Sequence, residues 1–216
     1  GESKMETLLL PLINGQTDPT IATYAKEGEC SLRIASKRAT KEEAKAAVDK
    51  MLDDVMEIIG ENVYSIDNED LIDVVAKTLL EKNITISCAE SCTGGLFAGR
   101  LTDISGISKV FERGIVTYSN RAKMEELGVK AETLDKYGAV SEETAAEMAE
   151  GLKKKTGSDL CVSVTGIAGP GGGSAEKPVG LAYIGICYNG ETKVFKSLYR
   201  NVSRKWNRNY TLLNML

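Results

Sequence analysis

Ser91 is the residue of this sequence that is best placed to act as a nucleophile. It lies in the segment Ala-Glu-Ser-Cys-Thr-Gly-Gly, residues 89–95, which follows an alternating run rich in β-forming residues and precedes the apolar run 96–101. This order predicts a strand, a tight turn and a helix, the arrangement in which hydrolases present a nucleophilic hydroxyl beside backbone N–H groups. The competing interpretation is that Ser91 and Thr93 cap the helix and that the two glycines only permit close packing.

The chain contains no histidine, which excludes Ser-His-Asp and Cys-His mechanisms and histidine metal sites. A hydrolase of this composition needs Lys, Asp, Glu, Tyr or a held water as its base. Lys123 is a candidate because it follows Tyr118 and Asn120, which emerge from the end of a predicted strand, and because the nearby cation Arg121 would lower the pKa of a partly desolvated amine. The alternative is a solvated lysine on the first turn of a helix.

The five cysteines are odd in number and scattered, so we expect neither disulfides nor a structural zinc site. Cys92 is an alternative nucleophile, but one residue farther along the turn its side chain should point elsewhere, which favours Ser91.

No apolar run approaches the roughly 20 residues of a membrane span, and no signal-peptide pattern opens the chain. A cytoplasmic protein without a metal or other cofactor is therefore expected.

A glycine-rich segment, residues 166–173, follows a predicted strand at residues 159–165. Its small residues let the backbone approach a ligand and present N–H groups to an anion, although no Gly-Lys-Ser/Thr completes a Walker A loop. Lys177 is expected at the rim of the same cleft. In the predicted last helix, Arg204 and Arg208 are four residues apart and face the same way, which suits a phosphate or, equally, a surface or dimer contact.

The first predicted domain, residues 1–64, is a small α+β unit. Its predicted elements are an apolar strand end or linker around residues 8–10, a short helix from Asp18 to Ala25, a half-buried strand at 29–37 and a long helix from the capping box at Thr40 to Gly60. It carries 8 Lys and Arg against 12 Asp and Glu and lacks a G-x-x-G loop. We therefore interpret it as a structural or partner-binding unit rather than an RNA-binding one.

The second predicted domain, residues 65–216, alternates helices and strands. Helices are expected to begin near Asp70, Ser119, Ser141 and Ser203, and a late hairpin is expected at Asn189-Gly190. This order predicts a three-layer α/β/α sandwich with a mixed sheet.

Four ordered motifs in residues 65–216 resemble the CinA family: residues 89–95, 111–120, 138–141, and 166–172 with 177–180. The resemblance implies that this domain is a nicotinamide mononucleotide deamidase, which hydrolyses the carboxamide of the nucleotide to nicotinate mononucleotide and ammonia. Residues 14–64 look like the middle, KH-like domain of the family. The resemblance further implies a two-domain part of a longer cytoplasmic protein that forms homodimers and carries a molybdopterin-binding-like domain upstream.

The resemblance also implies roles for individual residues. Ser91 would attack the carboxamide carbon, Lys123 would take its proton, and Tyr118 would join them as a catalytic residue that orients the substrate. The N–H groups of residues 92–95 would hold the oxyanion, and the amides of 169–173 with Arg204 would receive the phosphate. The implied substrate-binding residues are Thr93, Gly94, Gly95, Asn120, Thr165, Gly166, Ala168, Gly169, Gly171, Gly172 and Arg204.

Two other function classes stay open at this point. The chain could be a nucleotide-binding module without turnover, or a competence or DNA-damage adaptor, as the family name suggests. The acidic first domain and the neutral second domain give no electrostatic footprint for nucleic acid. We therefore expect a small-molecule partner and no direct binding to nucleic acid or membrane.

Overall fold

The computed structural model describes residues 1–26, 28–200 and 202–216. These residues form two compact units, Gly1–Glu69 and Asp70–Leu216. The division falls a few residues beyond the boundary that the sequence predicts between residues 64 and 65. Within the described residues, none of the helices combines the length and the apolar character that crossing a bilayer requires.

The first unit packs two helices against a two-stranded antiparallel sheet. Its core consists of the buried side chains of Leu9, Ile21, Val55 and Ile59. Thr40 and the glutamate three residues later form the predicted capping box at the start of the long helix. The elements of this unit are α1 (Glu2–Asn14), β1 (Thr20–Ala25), β2 (Cys30–Ala35), α2 (Lys41–Ile59) and a 3-10 turn (Gly60–Asn62).

Two local predictions in this unit are wrong. The apolar residues around 8–10 belong to helix α1, because Met5, Leu9 and Leu12 recur at helical spacing and face the core. Asp18 does not cap a helix: its carboxylate accepts hydrogen bonds from the Ser36 hydroxyl and the Lys37 N–H. Both donors follow β2 in the chain, so their hydrogen bonds hold Asp18 beside the end of β2. The segment after Asp18 therefore continues as strand β1, which pairs with β2.

The second unit is the predicted three-layer α/β/α sandwich with a mixed sheet. The strand order is β4-β3-β5-β6-β7, with β4, β3 and β5 parallel and β6 and β7 antiparallel. The hairpin at Asn189-Gly190 joins β6 to β7, as predicted. The elements are α3 (Leu71–Lys82), β3 (Ile86–Glu90), α4 (Leu96–Thr102), a 3-10 turn (Ile107–Lys109), β4 (Phe111–Val116), α5 (Asn120–Leu127), α6 (Ala131–Tyr137), α7 (Glu142–Thr156), β5 (Leu160–Gly166), β6 (Leu181–Tyr188), β7 (Glu191–Leu198) and α8 (Arg204–Leu213).

Each face of the sheet buries its own hydrophobic core. Successive side chains of a strand point to opposite faces, so Cys88 of β3 packs with α3, α4 and the C-terminal residues, whereas Ala89 packs with α5, α6 and α7. The predicted N-cap serines at 119, 141 and 203 each accept a hydrogen bond from the backbone of their helix. These caps fix where α5, α7 and α8 begin, and therefore where their first turns meet the sheet.

Candidate active site

The carboxyl ends of the three parallel strands meet at one edge of the sheet, where ligands bind in open α/β sheets. Strand β3 leads to Ser91, β4 leads to Thr117 and Tyr118, and β5 ends at Thr165 and Gly166. These ends line a cavity of about 220 Å³ together with the start of α8. The cavity lining includes Ser91, Cys92, Tyr118, Lys123, Ala139, Val140, Thr165, Gly166, Ala168 and Arg204.

Ser91 and Lys123 form a buried pair in this cavity. Lys123 Nζ lies 3.1 Å from Ser91 Oγ and donates to the Thr117 carbonyl at 2.8 Å. Only 1% of Lys123 and 8% of Ser91 is exposed. The structure thus brings together the two residues that the sequence predicts as nucleophile and base.

Burial lowers the pKa of Lys123, and the neighbouring Cys92 sulfur opposes this effect. The predicted cause was different, because it relied on the cation of Arg121. That side chain is 79% exposed and pairs with Glu125 at 3.5 Å, so desolvation and not Arg121 shifts the pKa of Lys123. A neutral lysine amine has two N–H donors and one lone pair, so it can donate to Thr117 and still accept the serine proton.

Cys92 is poorly suited to be the nucleophile. Burial raises the pKa of its thiol to about 11, and the N–H groups of Cys92 and Thr93 oppose that rise only in part. Since the thiolate is the reactive form of cysteine, a thiol with this pKa stays protonated at neutral pH. The hydroxyl beside Lys123 is therefore the better nucleophile.

Arg204 and Tyr118 form the polar rim of the cavity. Arg204 donates to the Tyr118 hydroxyl and to the Gly169 carbonyl, both at 2.8 Å. Both acceptors are neutral, and among the residues that the structure describes no carboxylate pairs with this guanidinium. No carboxylate of the described residues therefore neutralises its charge, and its contact with a phosphate stays a prediction.

The N–H groups of the turn after Ser91 are arranged differently from the prediction. The buried carboxylate of Glu90 accepts from the N–H groups of Gly95, Phe97 and Ala98 at 3.0, 3.2 and 2.9 Å, and Gly94 N–H donates to the Ser91 carbonyl at 3.1 Å. Gly94 and Gly95 are thus already bonded within the protein. This corrects their assignment as oxyanion donors. Among the described residues, the N–H groups of Cys92 and Thr93 face the Cys92 sulfur and bind no oxygen.

The glycine-rich loop contributes less to the cavity than the sequence suggests. Gly166 and Ala168 line it, whereas Gly169 presents its carbonyl to Arg204, and Gly171 and Gly172 are exposed outside the lining. Residues 169–173 are not part of the cavity lining, and phosphate binding by their amides stays a prediction.

Three further predicted residues lie outside the cavity lining. Thr93 is fully buried beneath the turn, and Asn120 is an exposed residue of the first turn of α5. Lys177 donates to the Tyr137 carbonyl, two residues before the lining residue Ala139, and is not itself part of the lining. In contrast, the Thr165 hydroxyl lies in the lining and donates to the Ala139 carbonyl at 2.6 Å.

Sequence reasoning missed two residues that hold the site together. Glu90 precedes the nucleophile and binds the backbone of α4, and Arg208 of α8 donates to the carbonyls of Cys92 and Thr93 at 3.1 and 2.6 Å. A charged residue inside a buried strand was a usable signal for Glu90. The four-residue spacing from Arg204 placed Arg208 on the correct helix face but did not indicate its partners. Among the described residues no cluster of His, Cys, Asp or Glu suits a metal ion.

The fold and this site define a three-layer α/β protein with a buried serine–lysine pair at the carboxyl edge of a mixed sheet. Comparison with known proteins identifies the family. Residues 68–216 match the CinA C-terminal domain, and residues 1–65 match the damage-inducible protein CinA KH domain. The chain belongs to the CinA family.

Curated relatives carry the name competence-damage inducible protein. The relative from Clostridium acetobutylicum is 54% identical over 196 residues, which is 91% of this chain and 48% of that protein. The relative from Acetivibrio thermocellus is 50% identical over 214 residues, 99% of this chain and 52% of that protein. The chain spans about half the length of the curated relatives it matches.

Solved structures share a large part of this fold. The competence/damage inducible protein CihA from Agrobacterium tumefaciens is 44% identical with a TM-score of 0.66, covering 71% of this chain and 93% of that one. The competence damage-inducible protein A from Klebsiella pneumoniae is 31% identical with a TM-score of 0.65, covering 67% and 89%. These structures have names of the same kind as the curated relatives.

Proposed function

We propose that the second unit is an amidohydrolase that converts nicotinamide mononucleotide to nicotinate mononucleotide and ammonia. The observation that carries the proposal is the buried pair of Ser91 and Lys123, 3.1 Å apart, in a cavity whose rim carries the cation of Arg204. Amide hydrolysis needs a nucleophile, a base and donors for an oxyanion, and a nucleotide substrate adds a phosphate that a guanidinium can bind.

In the first half of the proposed reaction, Ser91 Oγ attacks the carboxamide carbon as its proton passes to the neutral Nζ of Lys123. The carbonyl oxygen becomes an oxyanion, which the N–H groups of Cys92 and Thr93 stabilise. When the tetrahedral intermediate collapses, the C–N bond breaks and Lys123 returns the proton to the leaving nitrogen, which departs as ammonia. The product of this half-reaction is a nicotinoyl ester of the serine.

In the second half, water attacks the ester carbonyl while Lys123 accepts a proton from it. The second intermediate collapses with cleavage of the bond to Ser91 Oγ, which recovers its proton from the lysine. The acid product gives its proton to the solvent and leaves as the carboxylate. The same lysine therefore serves as base and acid in both halves, and the lowered pKa of Lys123 supports this use because the resting amine must be able to accept a proton.

The test is ammonia release from nicotinamide mononucleotide by the parent chain, Ser91→Ala and Cys92→Ala, with nucleotide binding measured in parallel. We expect Ser91→Ala to lose turnover and keep binding, and Cys92→Ala to keep both. Binding without turnover in the parent would favour a nucleotide-binding module. Absence of both would refute the substrate assignment.

The names of the relatives favour a second candidate, a competence or DNA-damage adaptor. Salt-dependent retention of the chain on DNA would support that role, and the formal charge of −4 gives no reason to expect it. A homodimer, a cytoplasmic location and an upstream domain remain predictions.

A further inference from the structure

The turn of residues 91–95, here called the nucleophile turn, holds its peptide groups in fixed orientations. A trans peptide is planar and points its C=O and its N–H in opposite directions. Gly94 N–H donates to the Ser91 carbonyl, and Gly95 N–H donates to the carboxylate of Glu90. Within the part of the chain that the structure describes, the N–H groups of Cys92 and Thr93 donate to no oxygen.

Arg208 binds the opposite face of the nucleophile turn. Its Nε donates to the Cys92 carbonyl and its Nη2 to the Thr93 carbonyl. Gly94, within the turn, lies against this contact, since a Cβ on it would lie 3.4 Å from Arg208 Nη2. One guanidinium fork thus holds two successive peptide groups, a geometry that the single-point ammonium of lysine cannot reproduce.

The two bonds from Arg208 orient the N–H groups of Cys92 and Thr93. Because the Cys92 carbonyl faces Arg208, the Thr93 N–H in the same peptide must face the other way. The Thr93 carbonyl also faces Arg208, so the Gly94 N–H of the same peptide points the other way and donates to the Ser91 carbonyl. This bond holds the Ser91 carbonyl, and the Cys92 N–H of that peptide must therefore point in the opposite direction. Both N–H groups face the Cys92 sulfur, and Cys92 is one of the residues that line the cavity.

We propose that Arg208 is a positioning residue, which holds the N–H groups of Cys92 and Thr93 toward the oxyanion that forms when the serine attacks. The proposal rests on the proposed function for the chemistry at Ser91, and it adds which N–H groups are the donors and what fixes them. Arg208 touches no reacting atom; it acts through the backbone of the nucleophile turn.

The test uses a fluorophosphonate probe, which needs no assumption about the natural substrate. Ser91 Oγ bonds to phosphorus, fluoride leaves, the serine proton is lost to the base, and the phosphoryl oxygen occupies the oxyanion position. Labelling rates are measured by intact mass for the parent, Arg208→Gln, Arg208→Lys and the control Lys205→Gln, which removes a charge from the exposed face of α8. Loss of an oxyanion donor typically costs ~10²-fold or more in rate, so we expect Arg208→Gln to label about 10- to 100-fold more slowly, Arg208→Lys to be intermediate, and the control to match the parent.

A second readout separates positioning from general stability. In ammonia release, donors that act only in the transition state should lower kcat and leave KM unchanged, whereas a purely structural Arg208 would lower the melting temperature and leave the labelling rate of the folded fraction unchanged. Equal labelling by parent and Arg208→Gln would overturn the proposal, as would failure of the parent to label at Ser91. If Arg208→Gln does not fold, the labelling rate of Arg208→Lys is the test: a rate equal to that of the parent would overturn the proposal. If the parent is labelled but releases no ammonia, only the substrate assignment is refuted. The labelling rates of the Arg208 variants would still test the positioning role of Arg208.

Discussion

Replacement of Lys123 by methionine tests the central element of the site. The substitution keeps a long apolar side chain and removes the amine that contacts Ser91 Oγ and the Thr117 carbonyl. General base catalysis contributes about 10²–10⁴-fold to rate, so we expect kcat for ammonia release to fall by that factor, roughly 3–5 kcal/mol of transition-state stabilisation. The control is Lys109→Met, an exposed lysine on a 3-10 turn, which should leave the rate unchanged.

The same variant makes a prediction about stability that does not depend on the substrate. Burial lowers the pKa of Lys123 in the folded protein below its ordinary value of 10.5, so the unfolded chain binds more protons between the two pKa values. The free energy of unfolding of the parent must therefore rise with pH in that window, relative to Lys123→Met, by up to about 1.4 kcal/mol per pH unit. Below the folded-state pKa the difference becomes constant.

Two measurements decide this reasoning. The first is kcat for the parent, Lys123→Met and Lys109→Met, and the second is urea unfolding of the same three proteins at several pH values from 7 to 10.5. A Lys123→Met enzyme with a rate near that of the parent would refute Lys123 as the base. A stability difference that does not change with pH would refute the lowered pKa of Lys123, whatever the activity.

Two further predictions concern recognition and packing. Arg204→Gln removes the rim cation and leaves a shorter polar side chain, so KM for nicotinamide mononucleotide should rise by about 10-fold or more, with a smaller change for the riboside without phosphate. An equal loss for both compounds would remove Arg204 from phosphate binding. Gly185→Ala places a Cβ 2.5 Å from the Ala145 carbonyl oxygen and should destabilise the protein by about 1–3 kcal/mol through overpacking. Gly99→Ala, with open space around it, should be neutral or stabilising by up to ~1 kcal/mol, and equal melting temperatures for the two variants would contradict this account of the packing.

The sequence predicts the second unit better than the first because its signals are local. Residues 84–101 carry their own strand pattern, turn and apolar helix, and the capping serine at 141 marks the start of α7. Strand β1 is different: it is a strand because β2 pairs with it and because residues beyond β2 bind Asp18. Such tertiary partners override the local cap and proline signal that predicted a helix.

The residues of the site also divide into those that the local sequence indicates and those that depend on tertiary partners. Residue types and the absence of histidine made Ser91 and Lys123 candidates, and the resemblance to the CinA family gave them their roles, although 32 residues separate them. The partners of the nucleophile turn were not predictable, because Arg208 reaches it from 116 residues farther along the chain. Nothing in the local sequence of either segment indicates that contact, and only the packing of α8 against the sheet creates it.

In the proposed reaction, Lys123 can act as a base because, among the described residues, no carboxylate pairs with its amine. Had the carboxylate of Glu90 bound this ammonium directly, the ion pair would favour the charged form of the lysine and raise its pKa. Instead, Glu90 accepts three backbone N–H groups at the start of α4, and the fixed hydrogen-bonding partner of Lys123 besides the serine is the neutral Thr117 carbonyl. Burial therefore lowers the pKa of Lys123 with no paired carboxylate to raise it again. The glutamate that precedes the nucleophile thus serves the site by binding the backbone and leaving the lysine unpaired.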